Sequence, residues 1–132
     1  MRYLKFLLAP LIMVLIGVHQ SAAQTCNCID LENNSACDVE LNLVCSIMPP
    51  DPTCYDIAGN GGSLSICATS TVCNSFDGIL FDFQCPGGSC GSCSGGLTHN
   101  IQCGQTKTFT CGGSTITVTF DCSKSPCEIE FQ

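Results

Sequence analysis

Cys90-x2-Cys93-x5-His99-x3-Cys103 is the one stretch whose residue types and spacing suggest a defined chemistry. Two thiolates separated by two residues grip one side of a tetrahedral ion, and an imidazole with a third thiolate closes it, so the set predicts zinc at Cys90, Cys93, His99 and Cys103. The spacing is one residue off the common knuckle C-x2-C-x4-H-x4-C, and a one-residue displacement changes ligand direction along an extended chain. The competing expectation is that these cysteines enter separate disulfides and His99 is a solvated loop residue. Other chemistry is thinly supported. No nucleophile elbow and no Ser-His-Asp spacing is present. The carboxylate pairs Glu128/Glu130 and Asp82/Asp121 have the composition for acid-base work, but carboxylates at alternating strand positions are normally a solvated face. No glycine-rich loop opens a helix, so phosphate cradling is not expected. The expectation is a protein that is not an enzyme.

The compartment sets which of the two cysteine chemistries is favoured. Arg2 and Lys5 precede an apolar run over residues 6–18, and Ser21-Ala22-Ala23 supplies a small-residue cleavage site. That is a secretory signal peptide spanning residues 1–23. Its removal leaves Lys107 and Lys124 as the basic residues against 11 acids, and all 14 cysteines in residues 24–132. So acidic a chain is a poor partner for nucleic acid or anionic membranes. Cysteine at this density marks a small secreted scaffold held by staples, each contributing roughly 2–4 kcal/mol. Seven disulfides are the expected state in culture medium. Asn33-Asn34-Ser35 is a glycosylation sequon, a weak signal on its own.

The elements that must position these residues read as strands. Residues 105–122 predict a β-hairpin: Lys107, Phe109 and Cys111 share one face, Ile116, Val118, Phe120 and Cys122 share another, and Gly112-Gly113 makes the turn. Leu64-Ser65-Ile66-Cys67 predicts a short strand after the Asn60-Gly61-Gly62 turn. Ile79, Phe81, Phe83 and Cys85 alternate with Leu80, Asp82 and Gln84 as a longer one. Residues 48–53 form a proline-rigid turn, and residues 85–96 a glycine-serine-cysteine loop with little to pack. No helical period is present.

The cysteines divide into seven at positions 26–73 and seven at positions 85–127, with late gaps of 8, 9, 13, 6 and 10, 8, 11, 5. The expectation is therefore a small all-β, cysteine-stapled protein of two tandem β-rich modules of short antiparallel strands, residues 24–84 and 85–132. Seven is odd, so either a disulfide joins the halves or metal takes the surplus thiols.

With its signal peptide, acidic mature chain, tandem cysteine frame and Cys90/Cys93/His99/Cys103 cluster, the sequence resembles the small secreted cysteine-rich effectors of plant-pathogenic fungi, most closely rust avirulence effectors. The resemblance is one of architecture. It implies a modular β protein, zinc-binding in some members, delivered into host cells, binding a host protein and open to detection by an immune receptor. The alternative is an extracellular disulfide-locked binder or inhibitor, such as a protease inhibitor, adhesion module or pheromone.

Overall fold

The computed structural model describes residues 26–46, 53–69, 73–84 and 97–132. The expected signal peptide, the expected proline turn at 48–53 except Thr53, and the expected loop at 85–96 lie outside the described residues. Nine strands are present among the described residues: β1 (Cys28–Asn33), β2 (Asp38–Cys45), β3 (Tyr55–Ile57), β4 (Gly62–Cys67), β5 (Phe76–Gln84), β6 (His99–Gln102), β7 (Thr106–Cys111), β8 (Ser114–Asp121) and β9 (Cys127–Phe131). They form a five-stranded sheet in the order β4-β1-β9-β8-β7 and a four-stranded sheet in the order β3-β2-β5-β6. The all-β, cysteine-stapled class is as the sequence predicts.

Period-two alternation builds both sheets. Ile29, Leu31, Ile116, Val118, Phe120, Ile129 and Phe131 line the inner face of the larger sheet, and Val39, Leu41, Leu43, Ile57, Ile79, Phe81 and Ile101 that of the smaller. All are buried in one shared core. Burying an aliphatic or aromatic side chain of this size contributes about 1.5–3 kcal/mol. The rings of Phe81 and Phe131 meet edge-on across the two sheets at 5.3 Å. Most intervening positions are polar and face out; Glu40 is an exception, buried with its carboxylate accepting from Gln84 Nε2 at 2.5 Å.

The expected hairpin is β7–β8, with Cys111 opposite Ser114 and a two-residue turn between them. Gly112 and Gly113 have φ of 58° and 85°. A two-residue hairpin loop of this kind requires positive φ at both central positions, which glycine adopts without penalty.

Both sheets draw strands from either side of the expected 84/85 boundary. The larger sheet takes β1 and β4 from the first half and β7, β8 and β9 from the second, while β6 joins β3, β2 and β5. The division into tandem modules is therefore not a division of the core. Nor are the strands all antiparallel: β1 and β9 pair in parallel, Ile29 with Cys127 through Asn33 with Phe131. Matching cysteine gaps carried no information about which strand sits beside which.

Asn33 ends β1 and is fully buried. Its Nδ2 donates to the carbonyls of Cys37 at 2.8 Å and Ile57 at 3.2 Å. Its Oδ1 accepts from the Ser35 hydroxyl at 2.6 Å and the Ser35 amide at 3.2 Å. The amide nitrogen that a glycan would need is thus enclosed and occupied. In the folded chain the sequon is a structural knot tying β1, β2 and β3. Nearby, a Cβ on Gly62 would lie 2.1 Å from the Ala58 carbonyl oxygen, so only glycine fits there.

Candidate functional site

His99 opens β6 and pairs with Phe81 on β5. Its ring centroid lies 4.8 Å from that of Phe109, 5.6 Å from Phe81 and 6.1 Å from Phe83. These rings close the side of the sandwich where β6, an edge of one sheet, meets β7, an edge of the other. Lys107 on β7 clips the same seam, its Nζ donating to the backbone carbonyl and the side-chain oxygen of Asn100, both at 2.9 Å. Asp82 stands 3.7 Å from His99 Nε2, an ion pair when the imidazole is protonated. The Asp82 carboxylate also accepts from the Thr98 amide at 3.1 Å and the Thr98 hydroxyl at 2.5 Å. That hydroxyl bonds the carboxylate, not the imidazole, so the order nucleophile, base, acid is not assembled at this pair.

Of the quartet expected to hold zinc, Cys90 and Cys93 lie outside the described residues. Cys103 is joined to Cys122, with S–S 2.00 Å. A disulfide sulfur is not a thiolate donor, so the set does not fit zinc in this oxidised state. An ion at Cys90, Cys93, His99 and Cys103 requires the Cys103–Cys122 bond to be open. The Sγ atoms of Cys26, Cys122 and Cys127 lie within 4.8 Å of one another. They too are disulfide sulfurs, since Cys26 is bonded to Cys127.

Further bonds join Cys28 to Cys67, Cys37 to Cys111 and Cys45 to Cys73. Cys54 is also disulfide-bonded. The Cys26–Cys127 and Cys37–Cys111 bridges cross the expected boundary between the halves, so neither set of seven is self-contained. Cys26 and Cys28, too close to bond each other, go to different partners.

Asp82 and Asp121 sit on the outer faces of opposite sheets and form no pair. Glu128 and Glu130 instead join an acidic row that the sequence showed only in fragments. In the parallel β1–β9 register Asp30 lies beside Glu128 and Glu32 beside Glu130. Asp121 lies beside Glu128 from the other side. With Ser63 and Ser65 of β4, Asp30, Glu32, Glu128 and Glu130 line an open concavity of about 420 Å³ on the outer face of the five-stranded sheet. Like charges directly opposite on neighbouring strands repel, and each such pair is destabilising.

Local partners relieve part of that repulsion. The Ser65 hydroxyl donates to Asp30, and Asn34 Nδ2 donates to Glu32 at 3.0 Å. Gln132 Nε2 donates to Glu130 at 2.6 Å, and Lys124 pairs with Glu128. Hydrogen bonds from the Ser123 side chain, and then its amide, hold the Asp121 carboxyl below its ordinary range. The hydrogen bond to Glu128 raises Lys124. The signal for this face was the alternation of acids with Ile and Leu in both β1 and β9. Their adjacency depends on a pairing with no local trace.

The fold and its bonds define a small disulfide-stapled β-sandwich of the extracellular cysteine-rich kind. No protein-family model, curated protein or solved structure matches the chain.

Proposed function

We propose that this chain is a secreted, non-enzymatic interaction protein, a host-directed fungal effector that acts by binding a host protein through the outer face of its five-stranded sheet. The observation that carries the binding function is the row Asp30, Glu32, Glu128 and Glu130, set side by side on an uncovered face. Carboxylates held opposite one another at a cost in stability are relieved by a basic partner, so the partner is a protein with a Lys/Arg-bearing surface. An immune receptor is one host protein of that kind to examine. The fungal and host-directed part of the proposal comes from the architectural resemblance of the precursor and its cysteine frame.

The test is affinity capture of plant extracellular and cytosolic proteins on the oxidised mature chain and on an Asp30→Lys, Glu32→Lys, Glu130→Lys variant of the same fold. A partner held by the first and lost from the second, with retention falling steeply as salt rises, is the expected result. Equal capture by both would remove this face from the function. The second reading, an extracellular inhibitor, is favoured by the oxidised state of the cysteines. It would be supported by a captured protease whose activity falls on binding.

A further inference from the structure

The disulfides placed between described residues differ in how far a reagent can reach them. Cys26, Cys37, Cys45, Cys73, Cys111, Cys122 and Cys127 are each less than 9% exposed. Four of the five bonds therefore have at least one buried sulfur. Cys28–Cys67 does not: Cys67 is exposed and Cys28 half-buried. The two residues are directly opposite each other at the end of the β1–β4 ladder, on the outer face of the sheet. β4 is an edge strand among the described residues, and no other described strand screens the bond from the side. The bond borders a second open hollow of about 600 Å³ that Cys26, Cys122 and Cys127 also line, but those three residues are buried, so it is exposure that sets Cys28–Cys67 apart.

We propose that Cys28–Cys67 is a thiol-exchange site, a bond that a thiol reductant opens while the remaining described disulfides stay closed. Exchange requires a thiolate to approach one sulfur along the S–S axis, so access selects the bond. The reductant's thiolate attacks Cys67 Sγ, the more exposed sulfur, forming a mixed disulfide. The electron pair leaves on Cys28, which takes a proton from water. A second thiolate then attacks the reductant's own sulfur in that mixed disulfide, releasing Cys67 as a thiolate that is also protonated. Two thiols are oxidised to one disulfide, and the protein gains two electrons and two protons.

Opening the bond does not dismantle the fold. The ladder from Ile29 opposite Ile66 to Asn33 opposite Gly62 remains, as does the hydrogen bond from the Ala68 amide to the Asn27 carbonyl at 2.6 Å. What changes is local: the edge strand and the segment leading from Cys67 toward Cys73 lose their tether, beside the acidic face. The inference does not depend on the effector reading, because any compartment supplying such a thiol would act on it.

The oxidised protein is exposed under non-denaturing conditions to glutathione in one arm and to a Cys-x-x-Cys dithiol oxidoreductase in the other. Freed thiols are alkylated at intervals and located by peptide mass mapping. Cys28 and Cys67 should be labelled at least about ten-fold faster than Cys26, Cys37, Cys45, Cys73, Cys103, Cys111, Cys122 and Cys127. A glutathione adduct on Cys67 marks a small thiol as sufficient. Reduction only in the dithiol arm assigns the site to an oxidoreductase. A Cys28→Ser, Cys67→Ser variant should lose the fast phase and keep the slower ones. If that variant does not fold, the wild-type map decides alone. Earlier opening of any other pair, or release of all of them in a single step, would overturn the proposal.

Discussion

The β7–β8 hairpin and the β1–β9 pair belong to one sheet and are built by opposite means. In the hairpin, Thr106 to Cys111 meets Ser114 to Thr119 through two glycines, and every partner is within a few residues of the turn. In the β1–β9 pair, Ile29 meets Cys127 and Asn33 meets Phe131, with nearly the whole described chain between them. A two-residue turn fixes register by itself. A parallel pair has no turn to fix it and must close a long loop, so something else must specify it. Here that is the Cys26–Cys127 bond at one end and, at the other, the bond from the Asn34 amide to the Phe131 carbonyl at 2.8 Å.

The most severe way to break this contrast is to remove the covalent clamp. Cys26→Ala with Cys127→Ala should cost about 3–4 kcal/mol, below the roughly 4.7 kcal/mol of an unbridged loop of ~100 residues, because Cys37–Cys111 still joins the halves. Chemical denaturation with the other bonds intact measures it. A loss no greater than that of a surface substitution would show that β1 and β9 pair without the clamp.

Asn33→Ala attacks the turn out of β1, where its side chain ties β1 to β2 and β3. It leaves the buried carbonyls of Cys37 and Ile57 without their side-chain donor, a loss of about 2–4 kcal/mol by the same measurement. The intact protein should carry no glycan at Asn33, which its mass reports directly. A glycan there on folded protein would contradict the enclosed position of Nδ2.

The hairpin should be more forgiving. Gly113→Val places a β-branched residue at φ 85° and should cost about 1–2 kcal/mol. Thr117→Val, on the outer face, should change stability by less than about 0.5 kcal/mol. Equal costs would mean that the turn does not set the register.

The smallest effect concerns the corner between β8 and β9. The Asp121 carboxyl, lowered by Ser123, contributes stability above its ordinary value of 3.8, and loses it as pH falls through the lower folded value. The Lys124 ammonium, raised chiefly by Glu128, contributes fully below 10.5 and loses this as pH rises through the higher folded value. The corner should therefore be insensitive to pH between about 4.5 and 9.5. NMR of the Ser123 amide checks this, and a midpoint above 3.8 would show that the hydrogen bond is not formed.

The same contrast explains what could be read from the sequence. The hairpin, its turn and its inward faces were legible because strand alternation and Gly-Gly are local signals. The β5 alternation at Ile79 and Phe81 and the short strand at Leu64 to Cys67 were legible for the same reason. The β1–β9 pairing was not, because Ile29-Asp30-Leu31 and Glu128-Ile129-Glu130 say only that each is a strand with one apolar face. Cysteine spacing misled in the same way: equal gaps suggested two modules, while the bonds of Cys26 and Cys37 cross between them. At His99 the residue type and spacing read as a metal ligand, and nothing in them pointed to the ring faces of Phe81, Phe83 and Phe109. Those arrive from two different sheets.

The position of β9 has a consequence for biosynthesis. It is the last strand in chain order, yet it lies between β1 and β8, the middle place in the larger sheet. During vectorial synthesis β1 emerges first and waits, its inner side chains exposed, until the strand that belongs beside it has been made. Cys26 waits as well, since its partner follows 101 residues later. In an oxidising lumen a waiting thiol pairs with whatever cysteine comes within reach, and the cysteines between Cys26 and Cys127 all emerge before its partner does. The nascent chain should therefore pass through provisional cross-links and depend on an isomerase to exchange them, and secretion yield should track isomerase capacity more closely than transcript level.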